Sequence, residues 1–330
     1  MKSPFTGKEM SLVYESRTWS FRGEEYAYTQ ASWLCPDTGE KFTTDEMDDT
    51  SFTQVANQYR AKYGIPYTDE IIAIRQRYSI SAAKMSSLLG LGTNQWRLYE
   101  SGEVPNVSNG RMIRSIMNPS VFQDYINSSE RQLDEKEYNK LKAKISAIAD
   151  EKKEKYETEH YAHSRIFQCK RGSDNGFAPQ SLDRLKNILL YITNKYGEVF
   201  CTKMNKILFY SDFLSYRKTG MSITGLSYRA LNFGPTPERW DRIYSQFDEI
   251  TQEPRYFSGI EGWVLVSNTK ANISSLSETE LQIINEVCTK FAHCSSSEIS
   301  NISHMERAWI ECNVEQKRIP FSYAFDLKAI

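Results

Sequence analysis

Ser87-Leu88-Leu89-Gly90-Leu91-Gly92-Thr93-Asn94-Gln95-Trp96-Arg97-Leu98-Tyr99-Glu100-Ser101-Gly102 decides how this chain is read. An apolar helix end, a glycine-bearing turn and a short polar-faced helix follow one another, the layout by which small helical domains set side chains into a DNA major groove. Upstream, Gly64-Ile65-Pro66-Tyr67 breaks the chain, and Thr68 with Asp69 and Glu70 predicts a capped helix with Ile71, Ile72 and Ile74 on a core edge and Arg75 on a basic flank. Ser81 starts a second helix with Ala82, Met85, Leu88 and Leu89 inward. In the third, spacing sends Leu91, Trp96 and Tyr99 to the core and leaves Thr93, Asn94, Gln95 and Arg97 projecting. Amides suit adenine edges and a guanidinium suits guanine or phosphate. Arg75, Arg77, Lys84, Arg111 and Arg114 are candidate phosphate contacts. Residues 66–118 hold six Lys and Arg against four Asp and Glu, so phosphate affinity rests on placement rather than on total charge. After Asn118-Pro119, a short helix from Val121 to Ile126 completes a five-helix bundle over residues 63–128.

The whole chain, 330 residues with a formal net charge of -1, is too long for one ordinary core and is expected to divide into two or three units. No apolar run approaches the roughly 20 residues that cross a bilayer. Met1-Lys2-Ser3-Pro4-Phe5 carries no secretory core, so a cytoplasmic location without membrane contact is expected. Six scattered cysteines without a CxxC pair read as reduced thiols.

Residues 1–62 read as two short hairpins, with turns at Thr6-Gly7-Lys8, Arg22-Gly23 and Asp37-Thr38-Gly39, followed by a helix from the Thr43-Thr44-Asp45-Glu46 signal to about Lys62. The shape resembles a zinc ribbon, in which CPxCG knuckles supply four thiolates. Here the knuckles read Ser3-Pro4-Phe5-Thr6-Gly7 and Cys35-Pro36-Asp37-Thr38-Gly39, leaving Cys35 as the one plausible thiolate. A metal-free mini-sheet held by Trp19, Phe21, Tyr26, Tyr28 and Trp33 is therefore expected.

Residues 129–178 form a charged connector. From Glu130 to Glu159 charges predominate around a stripe of Leu133, Tyr138, Leu141, Ile145 and Ile148, which predicts a long solvated helix. The stripe fits a coiled-coil seam of a homodimer and equally a linker helix lying on its own domain. Lys170 to Gly176 then reads as a flexible hinge.

Residues 179–330 hold a second core. Leu182, Leu185, Ile188, Leu189 and Ile192 recur at helical spacing, Thr202 to Phe213 continues as another helix, and Ile223 to Pro237 reads as strand or loop leading into a Pro-stiffened turn. The fold class is thus mainly α with small β parts: a zinc-ribbon-like mini-sheet, a repressor-like bundle, a charged helix and an α-rich α+β domain. Four histidines, His160, His163, His293 and His304, occur without HExxH spacing, a GxSxG elbow or a P-loop. His160 and His163 read as a solvated pair, and Ser303-His304 near Glu306 as the cap of a helix through Trp309. No catalytic residue, metal or cofactor is expected.

Resemblances add to this reading. Leu89 to Thr93 with Tyr99-Glu100-Ser101-Gly102 resembles the Cro/repressor (XRE-type) helix-turn-helix, whose third helix commonly ends in an aromatic-Glu-x-Gly segment. Lys206, Leu208, Tyr210, Ile223, Thr224, Gly225, Tyr228, Gly234, Pro235 and Pro237, with Ser303, His304 and Trp309, resemble the Panacea (SocA-like antitoxin) domain. The whole chain is similar to antitoxins that fuse an MqsA-like start to Panacea, with the metal knuckles lost. The resemblance implies an antitoxin that neutralises a cognate toxin through its C-terminal domain, while the helix-turn-helix represses their shared operator. Candidate toxin contacts are Tyr210, Tyr228, Phe233, Pro235, Pro237 and Trp240, exposed aromatics around a stiff turn making good anchors. Tyr244 and Phe247 join that cluster, and the alternative for each aromatic is a place in the domain's own core. A proteolytic adaptor and a ligand-sensing repressor are the competing functional classes.

Overall fold

A computed structural model describes residues 1–129, 133–257 and 260–330, with the side chains of 151–158, 257, 260 and 261 outside the description. The chain is mainly helical with small antiparallel sheets, and it divides into two compact units: Met1–Val55 with Ala162–Ile330, and Ala56–Tyr161. Among the described residues no helix is long and apolar enough to cross a membrane.

In the first unit, β1 (Ser11–Phe21) and β2 (Glu24–Leu34) pair antiparallel along their whole length, and β3 (Lys41–Phe42) adds to the end of β2. Arg22 and Gly23 both take positive φ, 53° and 83°, so the two-residue turn matches the twist of the strands. The result is one long hairpin where two short ones were expected. The first expected hairpin reduces to a single bridge between Lys2 and Glu9, because the Ser3-to-Gly7 turn closes on itself through Gly7 N–H to Ser3 O at 2.9 Å. The helix α1 (Asp45–Tyr63) begins where the Thr-Thr-acid signal places it. Its Phe52 meets Trp19 and Phe21 edge-on, each at 6.0 Å. The hairpin is no isolated ribbon: Tyr14 lies 5.5 Å from the Phe325 ring, and Thr50 donates its hydroxyl to Lys218 O at 2.8 Å. Reading along the sequence set residues 1–62 apart because strands with so much polar surface do not reveal what they pack against.

The rest of this unit runs α8 (Leu182–Tyr196), β4 (Glu198–Phe200), α9 (Cys201–Thr219), β5 (Tyr228–Leu231), β6 (Gly234–Pro237), α10 (Trp240–Ile243), β7 (Thr251–Phe257), β8 (Ile260–Val266), α11 (Glu278–Lys290), α12 (Ser296–His304) and α13 (Arg307–Cys312). β4, β8 and β7 form one antiparallel sheet in that order, and β5–β6 is a separate hairpin. α9 is the central helix: Met204, Ile207, Leu208, Phe209, Phe213 and Leu214 are all fully buried, as a helix apolar all round must be. The expected hinge at Lys170 to Gly176 is instead a fixed turn. Asn175 is buried there, its amide donating to Ala178 O and Gly225 O while its oxygen accepts Gly172 N–H.

The second unit holds α2 (Thr68–Tyr78), α3 (Ala82–Leu88), α4 (Gln95–Glu100), α5 (Val107–Ser115) and α6 (Pro119–Ser128). Ser81 caps α3 as expected, accepting Lys84 N–H at 3.2 Å. The cap of α2 falls one residue earlier than the sequence suggests, on Tyr67, whose amide donates to the Glu70 carboxylate at 2.8 Å. Ile71, Ile74, Tyr78, Met85, Leu88, Trp96, Tyr99, Ile113, Ile116, Phe122 and Ile126 make the core. α7 (Glu135–Ile166) carries the charged connector, of which residues 130–132 lie outside the described set. Its stripe settles one of the two alternatives: Leu133, Tyr138, Leu141, Ile145 and Ile148 pack on this bundle, and Ile145 is 2% exposed. The stripe is therefore not a free seam.

Candidate functional site

The distinctive site of the first unit is the β5–β6 hairpin and the helices that grip it. Tyr228 pairs with Pro237 and Ala230 with Pro235, so the Gly-Pro-Thr-Pro run expected as a turn is itself a strand. Proline is tolerated because β6 is an edge strand, with no further strand beside it among the described residues for the missing N–H groups to serve. Beneath it, Asp212 of α9 is fully buried and accepts four bonds, from Ile223 N–H and Thr224 N–H at 2.8 Å each, from Tyr228 OH at 2.6 Å and from the Thr224 hydroxyl. Burial pushes its carboxyl upward against these hydrogen bonds, which pull it down. Lys206, earlier on the same helix, is also fully buried and donates to Pro235 O at 2.9 Å; desolvation draws its ammonium down to about 7.

Three more side chains hold the hairpin tip. Ser300 Oγ donates to Phe233 O at 2.5 Å, Trp309 Nε1 donates to Leu231 O at 2.8 Å, and the Gln316 amide reaches Asn232 Oδ1 at 3.3 Å. With its backbone so fixed, Phe233 stands 72% exposed at the tip, and Trp240, just after β6, is 39% exposed. Met305, Ile310 and Val314, on or beside the helices that hold the tip, are exposed as well.

Residues 204–310 match the family described as Antitoxin SocA-like, Panacea domain. No curated protein matches the chain. The Panacea segment thus takes in α9, the hairpin, the β4–β8–β7 sheet apart from β4, and the helices as far as the middle of α13.

Within the Panacea segment the six candidate contacts separate. Phe233 and Trp240 are at the surface. Tyr210 and Tyr228 are fully buried, bonded through their hydroxyls to Glu306 at 3.2 Å and to Asp212, and so serve the core rather than a partner. Pro235 and Pro237 are buried along β6, and Tyr244 and Phe247 are buried too. Ser303 does not cap a helix. It lies inside α12 with its hydroxyl donating to Ser300 O at 2.7 Å, and Glu306 occupies the cap position of α13 while its carboxylate accepts the Lys328 and Ala329 amides. The expected solvated pair holds for one member: His160 is exposed, whereas His163 is partly buried, its ring 4.6 Å from Phe167 and its Nε2 3.2 Å from Gln180 O.

The two knuckle-like turns face each other. Gly7 N–H bonds Ser3 O and Gly39 N–H bonds Cys35 O, equivalent turns that bring the Cys35 thiol to Ser3 Oγ at 3.2 Å and to Thr6 Oγ1 at 3.8 Å. Hydrogen bonds from Ser3 first, then Thr38, draw the Cys35 thiol down to about 6. Among the described residues no group of three His, Cys, Asp or Glu is placed to hold a metal.

In the second unit, Thr93, Asn94 and Arg97 are exposed around the start of α4, and Arg111 is exposed on α5. Gln95 is partly buried and its amide donates to Glu103 at 2.9 Å. Other basic candidates are occupied: Lys84 pairs with Glu137 at 2.9 Å, Arg77 donates to Met117 O at 3.2 Å, and Arg114 donates to Gly64 O at 2.6 Å. Arg75 is bonded to Glu100 at 2.5 Å and so ties α2 to α4 instead of facing outward. The same Glu100 oxygen accepts Trp96 Nε1 at 2.9 Å, and Tyr99 OH accepts Asn109 Nδ2 at 2.8 Å. These bonds give Tyr99 and Glu100 their places at the end of this helix.

Proposed function

We propose that this chain is an antitoxin that binds a toxin encoded by an adjacent gene through the Panacea segment, and that residues 63–128 form a helix-turn-helix domain repressing the shared operator. The observation that carries the reading is the family match at residues 204–310. It is supported by Phe233 and Trp240, aromatic anchors projecting from a hairpin whose backbone is already ordered. The DNA half is supported by the exposure of Thr93, Asn94 and Arg97 at one helix start. A homodimer would meet two half-sites, with a contact other than the α7 stripe.

The test is co-expression with the neighbouring reading frame in a strain lacking the cytosolic proteases. Growth arrest by the neighbour, relieved by this chain, is the expected result. Rescue that vanishes with the protease identifies an adaptor, and a harmless neighbour leaves a ligand-sensing repressor. In calorimetry with the purified neighbour, Phe233→Ala is expected to weaken binding by about 2 kcal/mol with the thermal transition unchanged. Undiminished affinity of the Phe233→Ala, Trp240→Ala double variant would remove this face from the reading. On the DNA side, Arg97→Ala or Gln95→Ala is expected to weaken operator binding by about 1 to 3 kcal/mol and leave toxin binding intact; a well-folded double variant with full operator affinity would exclude them.

A further inference from the structure

β1 is 11 residues long, lies at the edge of its sheet, and pairs with β2 without a bulge or a proline. The tight turn at Arg22-Gly23 makes Phe21 and Glu24 the closing hydrogen-bonded pair, so bonded and non-bonded pairs alternate back along the hairpin. Ser11, Val13, Glu15, Arg17, Trp19 and Phe21 therefore bond across to β2, whereas Leu12, Tyr14, Ser16, Thr18 and Ser20 turn their N–H and C=O groups to the open side. Gln54 gives an independent check of this phase. Its side-chain amide meets both the N–H and the C=O of Thr29 at 3.0 Å each, so Thr29 does not spend them on Ser16, its partner in register. Among the described residues none of the outward backbone groups of Leu12, Tyr14, Ser16, Thr18 and Ser20 meets a hydrogen-bond partner, and residues 16–20 are exposed.

An edge of this kind templates another strand unless proline, a bulge or unmatched charge blocks it. The charges on β1 are opposite in sign: Glu15 and Arg17, bonded to each other at 3.0 Å, with Lys41 also on Glu15. Turned antiparallel about Ser16, its own midpoint, β1 complements a copy of itself. Every residue from Ser11 to Phe21 then has an opposite. Glu15 faces Arg17 of the second copy, Arg17 faces its Glu15, Val13 faces its Trp19, and the outward groups of Tyr14 and Thr18 meet in a bonded pair. Slipping the register by two residues sets Glu15 against Glu15 or Arg17 against Arg17, and slipping it by one puts the bonding groups out of phase. We propose that β1 joins β1 of a second copy, antiparallel and centred on Ser16, to make a homodimer with one continuous sheet. That such a dimer brings two reading helices to two half-sites rests on the operator reading; the dimer itself does not.

The test is sedimentation of the full chain, without DNA or partner, over about 1–100 μM, the range in which a small strand-to-strand interface is expected to associate. The native chain should pass from one chain mass to two. Ser16→Pro should stay at one chain mass with its circular dichroism and thermal transition held, because the lost N–H serves no bond inside the protomer. Glu15→Arg and Arg17→Glu should each be monomeric alone, since like charges then oppose. An equimolar mixture of the two should dimerise again, because position 15 of each chain faces an opposite charge at position 17 of the other. A native chain that stays at one mass at the top of the range, or a mixture no more dimeric than its components, would overturn the proposal. So would native dimers untouched by Ser16→Pro, which place the contact on another surface. A monomeric native chain whose binding to the purified neighbour is weakened by Ser16→Pro gives the edge to the toxin instead and overturns it as well. Should Ser16→Pro fail to fold, the mixture decides alone. Dimers that form as expected yet show no operator affinity refute the DNA reading and leave the interface standing.

Discussion

Asp212→Ala is expected to destabilise the first unit by about 3 to 5 kcal/mol, a large part of the 5–15 kcal/mol that typical native folds possess. The carboxylate is the common acceptor of two backbone amides, the Thr224 hydroxyl and the Tyr228 hydroxyl, all in a fully buried setting. Alanine leaves those donors without an acceptor. Each buried orphan costs about 1–3 kcal/mol alone, and four around one cavity relax together rather than adding. Asp212→Asn keeps an acceptor and the volume, so its loss should be roughly half as large. Urea unfolding followed by near-ultraviolet circular dichroism separates these cases. A transition within about 1 kcal/mol of the native one for the alanine variant would show that the polar centre does not hold the hairpin to α9.

This centre also marks the limit of what the sequence could tell. Helix positions in the bundle were legible because Ile71, Met85, Leu88, Trp96 and Tyr99 follow one apolar face and Ser81 is a strong cap. The Tyr210 and Tyr228 placements were not, because a tyrosine reads alike as a surface anchor and as a core ring whose hydroxyl needs a partner. What decides between them is Asp212, and there was a signal: an acid inside Ile207-Leu208-Phe209-Tyr210-Ser211-Asp212-Phe213-Leu214 has no solvent face to occupy and must be satisfied internally. The role of Arg75 was hidden for a related reason, since its partner Glu100 lies a whole helix away in sequence and a basic flank looks the same whether it meets phosphate or carboxylate. The exposure of Phe233 was not legible: an aromatic beside a turn reads alike as a surface and a core residue, and its place depends on Ser300, Trp309 and Lys206, which the chain brings in from other elements.

Gly234→Ala is the substitution expected to damage the proposed site most. Gly234 sits at φ 99°, where a side chain is strained whatever the space around it, and there is no space: the new Cβ would meet Ser303 Oγ at 2.2 Å and Lys206 Cε at 2.8 Å. Neither neighbour can retreat cheaply, because Ser303 is bonded to Ser300 O and Lys206 is fully buried and bonded to Pro235 O. Strain and overpacking together should cost about 2 to 4 kcal/mol, and the tip must move to relieve them. Gly23, also at positive φ but with nothing within 4 Å of its Cβ direction, isolates the strain: Gly23→Ala should cost about 1 kcal/mol. Because relief of the clash displaces Phe233, Gly234→Ala should, under the proposed antitoxin function, impair partner binding more than Phe233→Ala does, and Ser303→Gly in the same chain should restore part of it by removing the nearest obstacle. Equal stability losses at Gly234 and Gly23, measured by thermal unfolding, would show that close packing under the tip does not hold Phe233 in place.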